Sequence, residues 1–291
     1  MRRALLRLAY ANVLISLHAA GFACAALVLS GEALSLPAIA LPAAAMYVVY
    51  TFDKVARFDP QDDTNDPQRS AFIRRWRAPL LVSGGITALV AGGVALGCGG
   101  LVVLLFGLPL IAGVLYALPL RPAGARYRRI KDVTGLKSLY VAAVWVATAG
   151  LLPLALVGAP LEASTGLVTI GAWILARMLI NTIYFDMGDL EGDRASGTRT
   201  IPVVFGFAWT RRLLLVLNGV AALLLTAGAA LGVLPPAAHV VNLVTIYAFV
   251  YLGLADGRRD LGFLCDVIVD GEGSVLGGLS LIGLWLAGLG L

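Results

Sequence analysis

The chain has 291 residues, of which 59% are hydrophobic and only 13% are charged, and its mean hydropathy is +0.89. Soluble domains carry about a quarter charged residues, so this composition excludes an ordinary soluble protein and indicates a single membrane domain over residues 1–291. The net charge of +5 does not predict nucleic-acid binding, because the basic residues lie between hydrophobic segments, where they orient a protein in a membrane.

Nine segments are apolar for about the 20 residues that a helix needs to cross the hydrocarbon core. Because lipid offers no hydrogen bonds to the backbone, such segments form helices, and we predict an all-α, polytopic helix bundle. The first segment follows Met1-Arg2-Arg3 and is long for a cleaved signal peptide, so we expect it to be retained. The nine predicted spans are 9–30, 34–52, 78–97, 100–118, 136–157, 164–185, 212–234, 237–255 and 274–291.

Nearly all the charged residues lie on one side of the membrane if these nine spans are correct. Loops that would lie on the side opposite the N-terminus hold only Glu32 and Glu162, and none of them contains Lys or Arg. Arg177 lies within a span, and the remaining charges are on the side of the N-terminus or at the helix ends beside it. The positive-inside rule therefore predicts a multi-pass protein of the cell membrane whose charged face is cytoplasmic.

Polar residues near this charged face are candidates for a site, and the first lie in the first two spans. Asn12 is a polar side chain in the first helix. Asp53 lies where the second span leaves the membrane, and Arg57 follows one helical turn later. The acids from Asp62 to Asp66 are flanked by Pro60 and Pro67 and are typical of a solvated loop.

The next charged segment, 121–137, holds six basic residues and one acid. Part of that charge serves as a positive-inside anchor. Lys131 and Lys137 lie closest to the following helix, and we predict that they hold an anionic diphosphate.

The sixth span contains Arg177, with Asn181 one turn nearer the charged face. A charge inside the membrane is costly and is by default part of a functional site. Arg177 is therefore a candidate contact for a substrate phosphate, although it could instead pair with Asn181 and nearby carbonyl groups. We predict that Arg177 and Asn181 both belong to the site.

Three carboxylates follow the sixth span at Asp186, Asp189 and Asp193. If the helix continues past Phe185, their i, i+3, i+7 spacing places them on one face. Aligned carboxylates repel one another unless a cation binds between them, and hard oxygen ligands suit Mg²⁺. A later pair, Asp266 and Asp270, has i, i+4 spacing and could hold a second metal or contact an acceptor, but we expect it to cap a helix in a solvated loop.

The segment Asp186-Met-Gly-Asp189-Leu-Glu-Gly-Asp193, followed by Gly197-Thr-Arg-Thr-Ile-Pro202, resembles the second aspartate motif of the UbiA superfamily of intramembrane prenyltransferases. Its D-x-x-D-x-x-G-D spacing is most similar to the branch of chlorophyll synthases and archaeal geranylgeranylglyceryl phosphate prenyltransferases. The stretch from Lys131 to Trp145 resembles the family's segment entering its fifth helix, and nine helices is the family's number. The family's first motif, N-x-x-x-D-x-x-x-D, is absent: Val55 or Phe58 stands at the asparagine position.

The resemblance implies nine helices around a central cavity and a Mg²⁺-dependent transfer of a polyprenyl group from its diphosphate to a lipophilic acceptor. Membrane lipid surrounds such an enzyme. The resemblance implies that Asp186, Asp189 and Asp193 are metal ligands, and we expect Asp53 to take the part of the missing first ligand. The predicted substrate-binding residues are Asn12, Arg57, Lys131, Lys137, Arg177 and Asn181.

Three alternatives to prenyl transfer remain open at the level of the sequence. A terpene cyclase of the same fold would need the same metal ligands but no acceptor. A transporter would carry polar residues at the middle of the bilayer and would show inverted repeats. The chain has one charge deep in a span, Arg177, and no obvious repeat between its halves. A non-catalytic protein with a decayed site would explain the irregular first motif.

Overall fold

A computed structural model describes residues 1–56, 66–117, 133–257 and 261–289. Every regular element in these ranges is helical, which confirms the predicted all-α bundle. The α-helices are α1 Arg2–Tyr10, α2 Val13–Leu29, α3 Leu36–Ala56, α4 Pro67–Gly97, α5 Gly100–Ala117, α6 Leu136–Trp145, α7 Leu152–Leu156, α8 Thr165–Gly188, α9 Leu190–Ser196, α10 Ile201–Phe205, α11 Phe207–Ala230, α12 Ala237–Val241, α13 Val244–Leu254 and α14 Asp270–Gly288. Two π-helical turns, Val146–Leu151 and Leu264–Val269, precede α7 and α14.

The described residues contain seven helical segments that are long and apolar enough to cross a membrane, so the protein is a multi-pass membrane protein. An eighth is obtained if the bent pair α1 and α2 counts as one span, and the apolar helix α5 is shorter. Each of the nine predicted spans overlaps one of these segments. The count of nine spans stays a prediction, since length and composition alone support seven or eight.

The bend between α1 and α2 measures 77° and occurs at Asn12. This residue has φ 60° and ψ 17°, the left-handed conformation that asparagine tolerates better than most side chains. Its buried Nδ2 donates to Thr51 Oγ1 of α3 at 3.2 Å. Asn12 thus ends the surface helix and ties the start of α2 to α3.

Helix α4 begins eleven residues before the predicted span at 78, at Pro67. Asp66 caps it by accepting a hydrogen bond from the backbone N–H of Arg69 at 2.9 Å. The helix kinks at Trp76, three residues before Pro79, because the proline ring displaces the carbonyl groups of the preceding turn. Most of the basic residues of α4 precede the kink, and its long apolar part follows.

The acid-rich segment does not continue as one helix, contrary to the expectation for Asp186, Asp189 and Asp193. Helix α8 ends at Gly188, and Asp189 occupies the break with φ −89° and ψ 8° before α9 begins at Leu190. Asp193 is buried one turn into α9. The three carboxylates therefore belong to two helices and a junction.

The last membrane helix also differs from the prediction. Helical structure begins at Gly262, twelve residues before the predicted span 274–291, and passes into a π-helical turn at Leu264. Asp266 and Asp270 are buried in this region, so the expectation that they lie in a solvated loop is wrong. The apolar residues between them, Val267 to Val269, carry both acids into the bundle.

Helices α2 and α14 approach closely at glycines. A Cβ atom on Gly21 would lie 1.7 Å from the carbonyl oxygen of Gly273, and one on Gly273 would lie 2.1 Å from His18 Cα. Small residues permit such close backbone packing in membranes, where no hydrophobic effect drives helices together. This contact fixes the position of α14, which starts beside the candidate site.

Candidate active site

A cavity of about 310 Å³ opens between α2, α3, α5, α6, α8 and α14. Its charged lining residues all lie near the helix ends on the charged side of the protein, and its deep lining is apolar. The cavity therefore combines a polar mouth with a hydrophobic interior. The polar and charged residues lining it include Asp53, Lys54, Lys137, Ser138, Asn181, Asp186, Asp189 and Asp270.

The most closely connected part of the mouth joins α6 to α8. Lys137 Nζ donates to Asp186 Oδ1 at 2.5 Å, and Ser138 Oγ donates to Asp186 Oδ2 at 3.4 Å. Lys137 is the second residue of α6, two positions after Gly135, whose φ of 76° turns the chain into that helix. The pair places a cation and a carboxylate side by side on the cavity wall.

Asp189 lies in the break after α8 and faces the same cavity. Burial raises the pKa of its carboxyl group to about 6, and the neighbouring Asp193 and Asp186 add to this shift, although Lys137 and Arg69 oppose it. A raised pKa shows that the ionised carboxylate is poorly compensated by the surrounding protein. An added cation at this position would stabilise it.

The opposite part of the mouth is formed by α3 and α14. Asp53 and Lys54 lie at the end of α3, and Asp270 lies at the start of α14. Asp270 is 8% exposed, and its carboxylate lies beside the side-chain amide of Asn181 and near Lys54. Asn181 and Asp270 therefore form a polar pair on the cavity wall.

Five of the predicted site residues are brought together by the cavity: Asp53, Lys137, Asn181, Asp186 and Asp189. Asn12, Arg177 and Asp193 are not among the described residues that line it. Arg57 and Lys131 lie outside the described residues.

Arg177 instead forms a buried polar cluster below the cavity. Its guanidinium group pairs with the carboxylate of Glu272, with Nε to Oε1 at 3.0 Å, and also donates to Asn218 Oδ1. Tyr251 donates to the other oxygen of Glu272 at 2.9 Å. The structure therefore gives Arg177 a protein partner on α14, which sequence inspection did not consider.

Two charged lining residues, Lys54 and Asp270, were not among the site residues predicted from the sequence. Lys54 adjoins Asp53, and its place in the last turn of a membrane helix was a usable signal. Asp270 follows the apolar residues Val267 to Val269, and an acid directly after such a run can be carried into a bundle. The contact that brings Asp270 to the cavity, between α2 and α14, leaves no local pattern.

The carboxylates of the mouth fit a divalent cation that is shared with a ligand. Within the described ranges, no three acidic, cysteine or histidine side chains converge closely enough to bind a metal by themselves. Mg²⁺ usually takes one or two carboxylates and completes its octahedron with water and phosphate oxygens. Asp186 and Asp189 on one side, and Asp53 on the other, supply donors of this kind.

The comparisons with known proteins agree with this architecture. The model of the UbiA prenyltransferase family matches residues 70–261. Similar solved structures include a UbiA homologue from Archaeoglobus fulgidus bound to GPP and Mg²⁺, with 17% identity, a TM-score of 0.62 and coverage of 96% of this chain and 98% of that one. The apo UbiA homologue from Aeropyrum pernix K1 has 15% identity and a TM-score of 0.61 over 94% and 97% of the two chains.

A structure of digeranylgeranylglyceryl phosphate synthase is also similar, with 14% identity and a TM-score of 0.52 over 99% of each chain. At these identities the structures show the fold. No curated protein matches the chain significantly.

The fold and the cavity together define a polytopic helical membrane protein. Its cavity has acidic residues at the mouth and apolar residues at the base. The family match covers most of the chain. The chain belongs to the UbiA prenyltransferase family, and it is a prenyltransferase. The predicted family is thereby confirmed, while the branch within it stays a prediction.

Proposed function

We propose that the protein transfers a prenyl group from a prenyl diphosphate to a lipophilic acceptor, in a reaction that depends on Mg²⁺. The observation that carries the proposal is the cavity itself, which places Lys137, Asp186 and Asp189 at its mouth and Met46 and Trp145 at its base. A prenyl diphosphate has the same distribution, with a dianionic or more highly charged head and a hydrocarbon tail. The GPP and Mg²⁺ bound by the A. fulgidus homologue support this choice of donor.

The residues of the mouth have separate roles in this reaction. Lys137 donates hydrogen bonds to the diphosphate and stabilises the negative charge that grows on it as the allylic C–O bond breaks. Asp53, Asp186 and Asp189 would hold Mg²⁺, which supplies charge neutralisation to the leaving diphosphate. Apolar walls from α3, α5 and α6 exclude water, so that the allylic centre reacts with the acceptor and not with solvent.

The carboxylate of Asp189 provides the sharpest test. Replacing it by asparagine keeps the shape but removes the charge, and we expect turnover of prenyl diphosphate to fall about 100-fold or more. Glu191→Gln is the matched control, because Glu191 is an exposed acid two residues away that does not line the cavity. The measurement is product formation by protein in lipid nanodiscs, together with calorimetry of Mg²⁺ uptake in the presence of diphosphate.

Equal turnover by the wild type and Asp189→Asn would refute the proposed role of this carboxylate. The products of the wild type without any added acceptor separate transfer from cyclisation. A cyclic hydrocarbon released under these conditions would assign the protein to the terpene cyclases, and dependence on an added acceptor supports transfer.

Lys137→Met removes the cation that faces Asp186. We expect the KM for the prenyl diphosphate to rise and kcat to fall, with a combined loss of about 10- to 100-fold in kcat/KM. Mg²⁺ binding in the absence of substrate should not weaken, because a competing positive charge has been removed from Asp186. Lys137→Arg, which keeps the charge, serves as the comparison; weaker Mg²⁺ binding by the methionine variant would contradict this role.

We propose that the cavity mouth faces the cytoplasm in the cell membrane, because the positive-inside rule assigns the side that is rich in Lys and Arg to the cytoplasm. A membrane location suits both substrates, since the donor tail and the acceptor partition into lipid. Cysteine labelling of a single Cys98 variant tests the orientation, because Cys98 is exposed in the turn between α4 and α5 on the opposite side. Labelling from the cytoplasmic side of intact vesicles would reverse the proposed orientation.

A further inference from the structure

The cavity has a consistent depth on the helices that form its walls. On α3 its lining runs from Asp53 down to Met46, a distance of seven residues, and on α6 from Lys137 down to Trp145, a distance of eight. At a rise of 1.5 Å per residue these intervals correspond to about 10–12 Å. On α5 the lining runs over seven residues between Tyr116 and Pro109, which gives the same depth.

The base of the cavity is closed by the main hydrophobic core. Met46 is 1% exposed and Trp145 is 3% exposed, and both belong to the same buried cluster as Phe22 and Trp173. The imidazole of His18 packs edge-on against Trp145, with ring centroids 5.3 Å apart. No described residue below this layer lines the cavity.

The indole ring of Trp145 is held in place from two directions. Its Nε1 donates to the hydroxyl oxygen of Tyr50 at 3.4 Å, and the ring is supported from below by His18. A ring fixed in this way cannot swing aside to admit a longer chain without losing these contacts. The base of the cavity is therefore a defined wall.

We propose that Trp145, together with Met46, forms the floor of the donor-tail pocket and restricts the enzyme to short prenyl diphosphates. An isoprene unit adds four chain bonds of about 1.5 Å each, or about 5 Å when extended, so the depth accommodates about two units. The inference rests on the proposed function, because it assumes that the diphosphate group lies at the mouth beside Lys137. The inference goes beyond that function because it specifies which prenyl diphosphates are selected and which residues select them.

Binding measurements test the proposal without knowledge of the acceptor. The dissociation constants of geranyl diphosphate, with two isoprene units, and geranylgeranyl diphosphate, with four, are measured by calorimetry with Mg²⁺ for protein in nanodiscs. We expect the wild type to prefer the shorter donor. Trp145→Ala should shift the ratio of the two constants about tenfold or more toward the longer donor, since pocket length decides whether the added units are buried.

Leu139→Ala is the matched control, because Leu139 lies on α6 but is 47% exposed on its outer face. If Trp145→Ala fails to fold, as judged by size-exclusion chromatography and thermal unfolding, Met46→Ala and Trp145→Leu carry the same expectation. The proposal is overturned if the wild type binds both donors equally, or if the folded floor variants keep the wild-type ratio.

Failure of the floor proposal is distinguishable from failure of the proposed function. If the wild type binds both donors and Asp189→Asn weakens the binding of both, the proposed function stands whatever the floor variants show. If the wild type binds neither diphosphate, the proposed function is refuted and the floor proposal is refuted with it.

Discussion

Replacing Arg177 by methionine is expected to lower the free energy of unfolding by about 3–5 kcal/mol, one of the largest effects of any single change in this protein. Both partners are buried, with side-chain exposures of 0% for Arg177 and 3% for Glu272. Truncation of the cation leaves the Glu272 carboxylate in a low-dielectric environment, where Tyr251 is its one remaining hydrogen-bond donor among the described residues. The measurement is equilibrium unfolding in detergent micelles, monitored by far-UV circular dichroism.

The double variant Arg177→Met, Glu272→Leu should recover much of the lost stability, because replacing both members of a buried ion pair by apolar residues is often close to neutral. Arg212→Met, an exposed arginine on α11, is the control and should change stability by less than about 0.5 kcal/mol. Affinity for the prenyl diphosphate should be retained in folded Arg177→Met. A variant with wild-type stability and lost diphosphate affinity would instead support the contact expected from the sequence.

Gly273→Ala is expected to have a comparable effect for a steric reason. The added methyl group would lie 2.1 Å from Cα and 2.6 Å from the carbonyl oxygen of His18, both of them backbone atoms that no rotamer change can move. Helices α2 and α14 must separate, which should cost about 3 kcal/mol or more. Because α14 carries Asp270 into the cavity, turnover of the remaining folded protein should also fall.

Gly278→Ala is the control for this prediction. It lies on the same helix, and a Cβ atom there has no neighbouring atom within 4 Å. We expect its stability to be unchanged or slightly increased, since alanine has the higher helix propensity. Thermal unfolding of both variants in the same nanodiscs provides the measurement. Equal midpoints for Gly273→Ala and the wild type would show that the close approach of α2 and α14 is not required.

The class of fold and the acidic motif could be predicted because they depend on local features of the chain. Apolar runs of sufficient length form helices wherever lipid denies other hydrogen bonds to the backbone. Asp186 and Asp189 were recognisable since their spacing lies within one segment, and Lys137 since it immediately precedes an apolar run. The cavity brings these three residues together with Asp53 and Asn181.

Arg177 shows why other assignments could not be made. A charged residue within a membrane span indicates that it has a polar partner, but it does not identify that partner. Glu272 is 95 residues away and was indistinguishable by pattern from a solvated acid near the end of a loop. Asn12, a predicted substrate contact, lies at the bend between α1 and α2 and donates to Thr51, a structural role that its place in the sequence did not indicate.

The sequence by itself determined the membrane location, the helical class, the charged side and the second aspartate motif, because each follows from residues that are neighbours along the chain. Only the tertiary structure decided that Lys54 and Asp270 face the cavity, that Arg177 does not, and that Trp145 closes its base. Those assignments depend on contacts between helices far apart in sequence, such as α2 with α14. Packing of this kind arises from the fit of whole surfaces, which no short pattern encodes.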